Sequence, residues 1–155
     1  MNIGNLEDLG SGDLQQLYQT DDYQWLLTTI KLLKNRQFNQ LDLENLIEEL
    51  TDSSNEKKNA VRSLLEQIIR HLLLIQYWRE EHEINSHHWQ SELLGFRYQM
   101  QDRLTTNLQL FLAQEMENIY QRALKFVQIK TKCKVQFPTK CPYTLEQLLN
   151  IDYPS

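Results

Sequence analysis

Val61, Leu64, Leu65, Ile68, Ile69, Leu72 and Leu73 recur at spacings of three and four, and the apolar stripe runs on through Ile75 toward Trp78. That period belongs to one face of an α-helix, and it predicts a central helix over Ser54 to Trp78. Ser53 and Glu56 stand at its start as a capping box, in which a serine side chain takes one orphan amide and a glutamate reaches back for another. Upstream, Asp13 starts a short helix to about Gln19. Thr20 or Asp21 caps a second to about Asn35, with Tyr23, Leu26, Ile30 and Leu33 as its expected inner stripe. Asp42 caps a third, Asp42 to Thr51, with Leu43, Leu46, Ile47 and Leu50 facing inward.

Downstream, the charged stretch Arg79 to Asn85 reads as a connection. Ser86 then caps a helix to about Leu104, and Thr106 with Gln109 opens another to about Lys130, on which Leu108, Phe111, Leu112, Glu115, Ile119, Arg122, Ala123 and Phe126 form a mostly apolar stripe. One long helix from Ser86 to Lys130 is the alternative, and the break is preferred. Phe137-Pro138 and Cys141-Pro142-Tyr143 make an extended tail, because a residue before proline avoids helical angles. Thr144 pairs with Gln147 as a last cap, over Leu145 to Asn150.

Composition sharpens the fold class. Between Asp13 and Phe137 there is one glycine, Gly95, and no proline, and the chain holds 27 leucines against three valines, which favours helix over strand. The expectation is all-α: a compact antiparallel helical bundle of about five main helices, with an extended C-terminal tail ending in a short helix. At 155 residues the chain fits one domain of roughly 100–200 residues, with 1–12 a loose N-terminal segment and 133–155 a tail laid on the bundle. A mean hydropathy of −0.59 and the absence of a run near the roughly 18 apolar residues that a membrane span needs predict no membrane partner. The start Met1-Asn2-Ile3-Gly4 lacks the basic and apolar regions of a signal peptide, so a cytoplasmic location is expected. Cys133 and Cys141 are too few and too far apart for a disulfide scaffold or a Cys-x-x-Cys zinc site, and read as free buried thiols.

Charge is uneven. Residues 1–55 carry ten Asp and Glu against three Lys and Arg, whereas residues 56–155 carry eleven against thirteen, for a net charge of −5. An acidic chain makes nucleic acid an improbable partner, since phosphate wants a basic surface. The acid-free segment Asn118 to Leu145 holds Arg122, Lys125, Lys130, Lys132, Lys134 and Lys140. With Tyr120, Phe126 and Phe137 interleaved it reads as a patch for nucleic acid or an acidic partner, or, the preferred reading, as cations gathered near a helix C-terminus, where they meet the negative end of its dipole.

Three groups of residues carry possible chemistry, in the absence of a phosphate loop, a nucleophile elbow or a His-Glu-x-x-His helix. Asp42, Asn45 and Glu49 share one helix flank, where oxygen side chains hold a hard cation, share a proton, or simply cap and solvate the helix. His71 falls on the apolar stripe of the central helix, either as a hydrogen-bonded core histidine or as a ligand or base facing a carboxylate such as Glu49. Glu80, Glu81, His82, Glu83, His87 and His88, followed by Trp89, mix carboxylates and imidazoles as divalent metal sites do, though in no defined spacing. Tyr18, Trp25, Trp78 and Trp89 are expected in the core.

Taken together, Leu17-Tyr18, Asp21-Asp22-Tyr23, Trp25-Leu26, Leu32-Leu33, Phe38, the run Leu41 to Leu50, His71-Leu72-Leu73, Gln76-Tyr77-Trp78, Trp89, Arg97, Phe137-Pro138 and Cys141 to Leu148 resemble the bacterial family called domain of unknown function twenty-nine, over about Leu17 to Tyr153. The resemblance implies an all-helical fold and no particular activity, substrate or cofactor. It singles out Glu49, His71 and Trp89 as family positions, and departs at Leu74, where many members carry a lysine after His-Leu-Leu.

Two readings follow. The first is a helical interaction or regulatory module, self-associating or bound to a protein partner, with an acidic front and a basic later segment. The alternative is a small metal- or histidine-dependent enzyme, a hydrolase for example, with its site between the Asp42–Thr51 and Ser54–Trp78 helices. There Glu49 and His71 are the catalytic candidates, and His88, Trp89 and Arg97 the binding candidates. Any metal would fall to Asp42, Glu49 and His71, and the sequence names no cofactor.

Overall fold

A computed structural model describes residues 10–155, and among these the regular elements are all helical. In chain order they are α1 (Ser11–Thr20), α2 (Asp22–Lys34), a 3-10 turn (Phe38–Gln40), α3 (Leu43–Tyr77), α4 (Arg79–Arg103), α5 (Thr106–Lys130) and α6 (Leu145–Leu149). The all-α expectation holds. Of the expected loose segment at 1–12, residues 1–9 lie outside the described residues, and Ser11 and Gly12 already belong to α1. No described helix is long and apolar enough to cross a membrane.

Two of the expected boundaries are replaced. The third and central helices are one, since α3 runs unbroken through Thr51, Ser53 and Glu56. Thr51 to Asn59 is polar and exposed but contains no glycine or proline. The middling propensities of Ser, Asp and Asn cost only a few tenths of a kcal/mol each, so the ladder continues and the capping box goes unused. The charged connection Arg79 to Asn85 is likewise helical. Only Trp78 (φ −93°, ψ 75°) interrupts the chain between α3 and α4, and Glu80 and Glu81 occupy the first turn of α4, where carboxylates meet the positive end of the dipole. Ser86 is then buried inside α4 rather than at its start. The preferred break before α5 is present, one residue earlier than expected: Thr105 is the cap, and its hydroxyl accepts from Leu108 N. The box of Thr144 and Gln147 forms with both of its bonds, at 3.1 and 3.0 Å.

The chain divides into two compact units, Met1–Ser54 and Asn55–Ser155. In the first, Leu14, Trp25 and Leu32 make a small core, with Leu17, Tyr18, Leu41 and Leu46 packed around it. Tyr18 meets the Trp25 ring edge-on at 5.0 Å. Trp25 Nε1 donates to Asp42 Oδ2 at 3.1 Å, so the residue that opens α3 also holds the indole. This overturns the expected inner stripe of α2. Its buried face is Trp25, Thr28, Thr29 and Leu32, whereas Tyr23, Leu26, Ile30 and Leu33 are exposed. Both sets have helical spacing, and the face carrying the indole, the largest apolar side chain, goes inward. Leu43, Ile47 and Leu50 are exposed as well, leaving Leu46 alone of that stripe against the core.

In the second unit, the part of α3 from Asn55 onward packs with α4 and α5. Val61, Leu64, Leu65, Ile68, Ile69, Leu72 and Leu73 are all buried as their spacing predicts. Trp78 stacks on Trp89 at 5.8 Å and His71 reaches Glu92, so α3 and α4 run antiparallel. Arg62 lies over Phe111 and Arg70 over Phe126, so α3 and α5 run in the same direction, as an up-down-up bundle requires. The tail crosses the far end. Phe137 meets Tyr77 at 6.0 Å, Tyr143 Oη donates to Gln76 Oε1 at 2.6 Å, and Tyr120 Oη donates to Pro138 O. Of the two thiols, both free, Cys133 is exposed rather than buried and Cys141 is half-buried. Burial pushes the Cys141 thiol up.

Candidate functional site

The first unit presents apolar surface in two stripes. On α2, Tyr23 (68% accessible), Leu26, Leu27, Ile30 (45%) and Leu33 line the solvent side. On the first turns of α3, Leu43, Ile47 and Leu50 do the same, with Phe38 from the preceding turn. Each stripe exposes apolar area on the order of 500 Å², against the 300–600 Å² that marks the largest patch of an ordinary monomer. The α2 stripe is bounded by Asp21 and Asp22 at its start and by Lys31 and Lys34 at its end. Beside it, Asp42 is buried and accepts from Asn45 Nδ2 at 2.6 Å as well as from Trp25. Glu49 accepts from Tyr18 Oη at 2.8 Å, and that bond to a carboxylate pushes the Tyr18 hydroxyl up to about 12. The oxygen flank of Asp42, Asn45 and Glu49 is therefore engaged in holding α1 and α2.

The second unit holds the other chemical grouping. His71 Nδ1 lies 2.7 Å from Gln67 O and Nε2 lies 2.6 Å from Glu92 Oε2, while the ring packs edge-on against Phe96. A backbone carbonyl only accepts, so Nδ1 donates to Gln67 O, and Nε2 is left facing the Glu92 carboxyl. The hydrogen bond from His71 holds the Glu92 carboxyl below the usual range, against the opposing effect of burial. His88, one turn before Glu92 on α4, brings Nε2 to 3.4 Å from Oε1. Both ring nitrogens of His71 are thus taken up by these two partners. Among the described residues no three His, Cys, Asp or Glu side chains are arranged to hold a metal ion.

With this geometry in view, one comparison identifies the chain. The family model for the domain of unknown function DUF29 matches residues 17–154. The chain belongs to the DUF29 family. No curated protein and no solved structure matches it.

Of the residues that the sequence nominated in this DUF29 chain, Glu49 and His71 have separate partners. The helix pair expected to enclose a site between them is the single helix α3, on which they stand about 22 residues, roughly six turns, apart. Trp89 is buried against Trp78, and His88 is exposed beside Glu92. Arg97 is 2% accessible, and its guanidinium donates to the carbonyls of Gln147, Leu148, Ile151 and Tyr153. It thus serves two open carbonyls in the last turn of α6 and two in the segment that follows, and burial lowers its proton affinity.

Sequence reasoning missed Glu92, although His88 and Glu92 stand four apart on a helix, the spacing of facing side chains. It also missed the ladder in which Glu66, buried on α3, takes Arg70 at 2.6 Å and Arg122 at 3.3 Å. In the basic segment, Arg122 is thereby paired, and Lys125, Lys130, Lys132, Lys134 and Lys140 remain exposed.

Proposed function

We propose that this DUF29 chain is a helical interaction or regulatory module, acting in the cytoplasm, whose first unit docks another helix on the outward face of α2. One observation carries the reading. Tyr23, Leu26, Leu27, Ile30 and Leu33 keep helical spacing on the solvent side of a helix that has already filled its core with the opposite face. Each such side chain stabilises a contact by about 1.5–3 kcal/mol once fully buried, so the stripe is costly to expose and suited to a partner. The double substitution Leu26→Glu with Ile30→Glu tests it. The dilute chain should keep its unfolding free energy within about 0.5 kcal/mol, as surface positions do, and lose association with itself or any partner. A fall of several kcal/mol in the dilute chain would put the stripe in the core and end the reading.

A histidine-dependent enzyme, such as a hydrolase, is favoured by one observation, that Glu92 touches His71 while its side chain stays 41% accessible. It requires the His71–Glu92 pair to exchange a proton with a bound substrate. Turnover of a model ester by the wild type, abolished by Glu92→Gln under conditions where the variant is still fully folded, supports that role. Loss of stability without turnover in the wild type removes it.

A further inference from the structure

The α2 stripe has a feature that selects among occupants. Tyr23, Leu26, Ile30 and Leu33 follow spacings of three, four and three, with Leu27 beside them, an apolar face of the kind that one helix lays against another. The stripe is also polar along its length. Asp21 and Asp22 stand at its start, and Lys31 and Lys34 in its last turn. A second α2 laid parallel sets acid on acid and base on base. Laid antiparallel, it sets each acidic end against a basic end and opposes the two helix dipoles.

The register agrees. If Tyr23 of one copy lies level with Leu33 of the other, then Leu26 lies level with Ile30, and the same alignment brings Asp22 level with Lys34. Apolar and charged positions thus match in one setting, and that setting is its own image under a twofold axis, as an isologous dimer demands. A standard interface takes about 800 Å² from each partner. The α2 stripe brings five large apolar side chains, 39–68% accessible, to the middle of such an interface, with its charged ends at the rim.

We infer that the occupant of this face is a second copy of the chain, with the two α2 helices crossing antiparallel about a twofold axis so that Tyr23 meets Leu33 and Asp22 comes level with Lys34. This rests on the reading of the face as a docking surface and names its partner.

Disulfide trapping in the full chain tests the inference. With Cys133→Ser and Cys141→Ser as background, Tyr23→Cys and Leu33→Cys are prepared as separate proteins and oxidised alone and mixed. The mixture should give the covalent dimer. Tyr23→Cys alone should not, because its mate lies about ten residues, or 15 Å of helix rise, away. Adding Ile30→Glu to both proteins should abolish the cross-link. A dimer from Tyr23→Cys alone overturns the antiparallel register. No cross-link in any combination, with Leu26→Glu and Ile30→Glu tolerated by the dilute chain, overturns self-pairing and leaves the face to a foreign helix. Intolerance of those two substitutions overturns the docking surface itself.

Discussion

His71 is held through both ring nitrogens, and the consequence falls on its partner. The Glu92 carboxyl, held below its ordinary value of 4.5 by the hydrogen bond from His71 and by the nearby charges of His71, His88 and Lys130, stabilises the folded chain when ionised. A lowered folded value means that this contribution is complete above about 4.5 and is lost as the pH falls through the lower folded value. Glu92→Gln should therefore flatten the acid limb of unfolding free energy against pH, read by urea denaturation across pH 3 to 6, and leave Trp78 and Trp89 stacked. Thr29 makes a second point at this scale. It is 3% accessible, and its hydroxyl has no hydrogen-bond partner among the described residues. A buried unpaired hydroxyl costs about 1–3 kcal/mol, so Thr29→Val, which keeps the shape, should raise the unfolding free energy by about 1 kcal/mol in the same assay. Which face of α2 goes inward was illegible in the sequence for a related reason. Thr28 and Thr29 look like solvent positions, and only the contacts of Trp25 with Tyr18 and Asp42, made from outside α2, outweigh their polarity.

Several helix starts were legible because a side chain makes its own cap. Asp21 accepts from Gln24 N, and Thr144 and Gln147 close their box, as their spacing implies. Ser53 and Ser86 carry the same kind of signal and cap nothing, because no glycine or proline accompanies them and the helix interior tolerates them. The tail shows the converse. Its extended course follows from Pro138 and Pro142, but its anchor, Arg97, stands some fifty residues earlier and offers no local clue. Arg97→Met should leave the carbonyls of Gln147, Leu148, Ile151 and Tyr153 without their charged donor, at a cost of about 3 kcal/mol. Hydrogen exchange should show the amides of Leu148 to Tyr153 losing protection first, with those of Leu65 to Leu72 following only through the global loss.

At the scale of the molecule, the apolar pattern from Val61 to Leu73 announced the core of the second unit, while an equally regular pattern in the first, read as an inner stripe, lies on the surface. Periodicity says that a face is to be covered, and it is silent on whether the same chain covers it. Nor did it yield the candidate site, since Glu49 and His71 each drew a partner, Tyr18 and Glu92, from a helix whose packing order no spacing encodes. The exposed stripe of α2, acidic at one end and basic at the other, is the property on which the functional account turns. Sedimentation equilibrium of the full chain over a wide concentration range is its most direct test. The account predicts a mass rising from 18.6 kDa to twice that value, and an Ile30→Glu chain that stays at 18.6 kDa with its helix content intact. A wild-type chain that remains at the single-chain mass throughout, or an Ile30→Glu chain that still doubles, would contradict it.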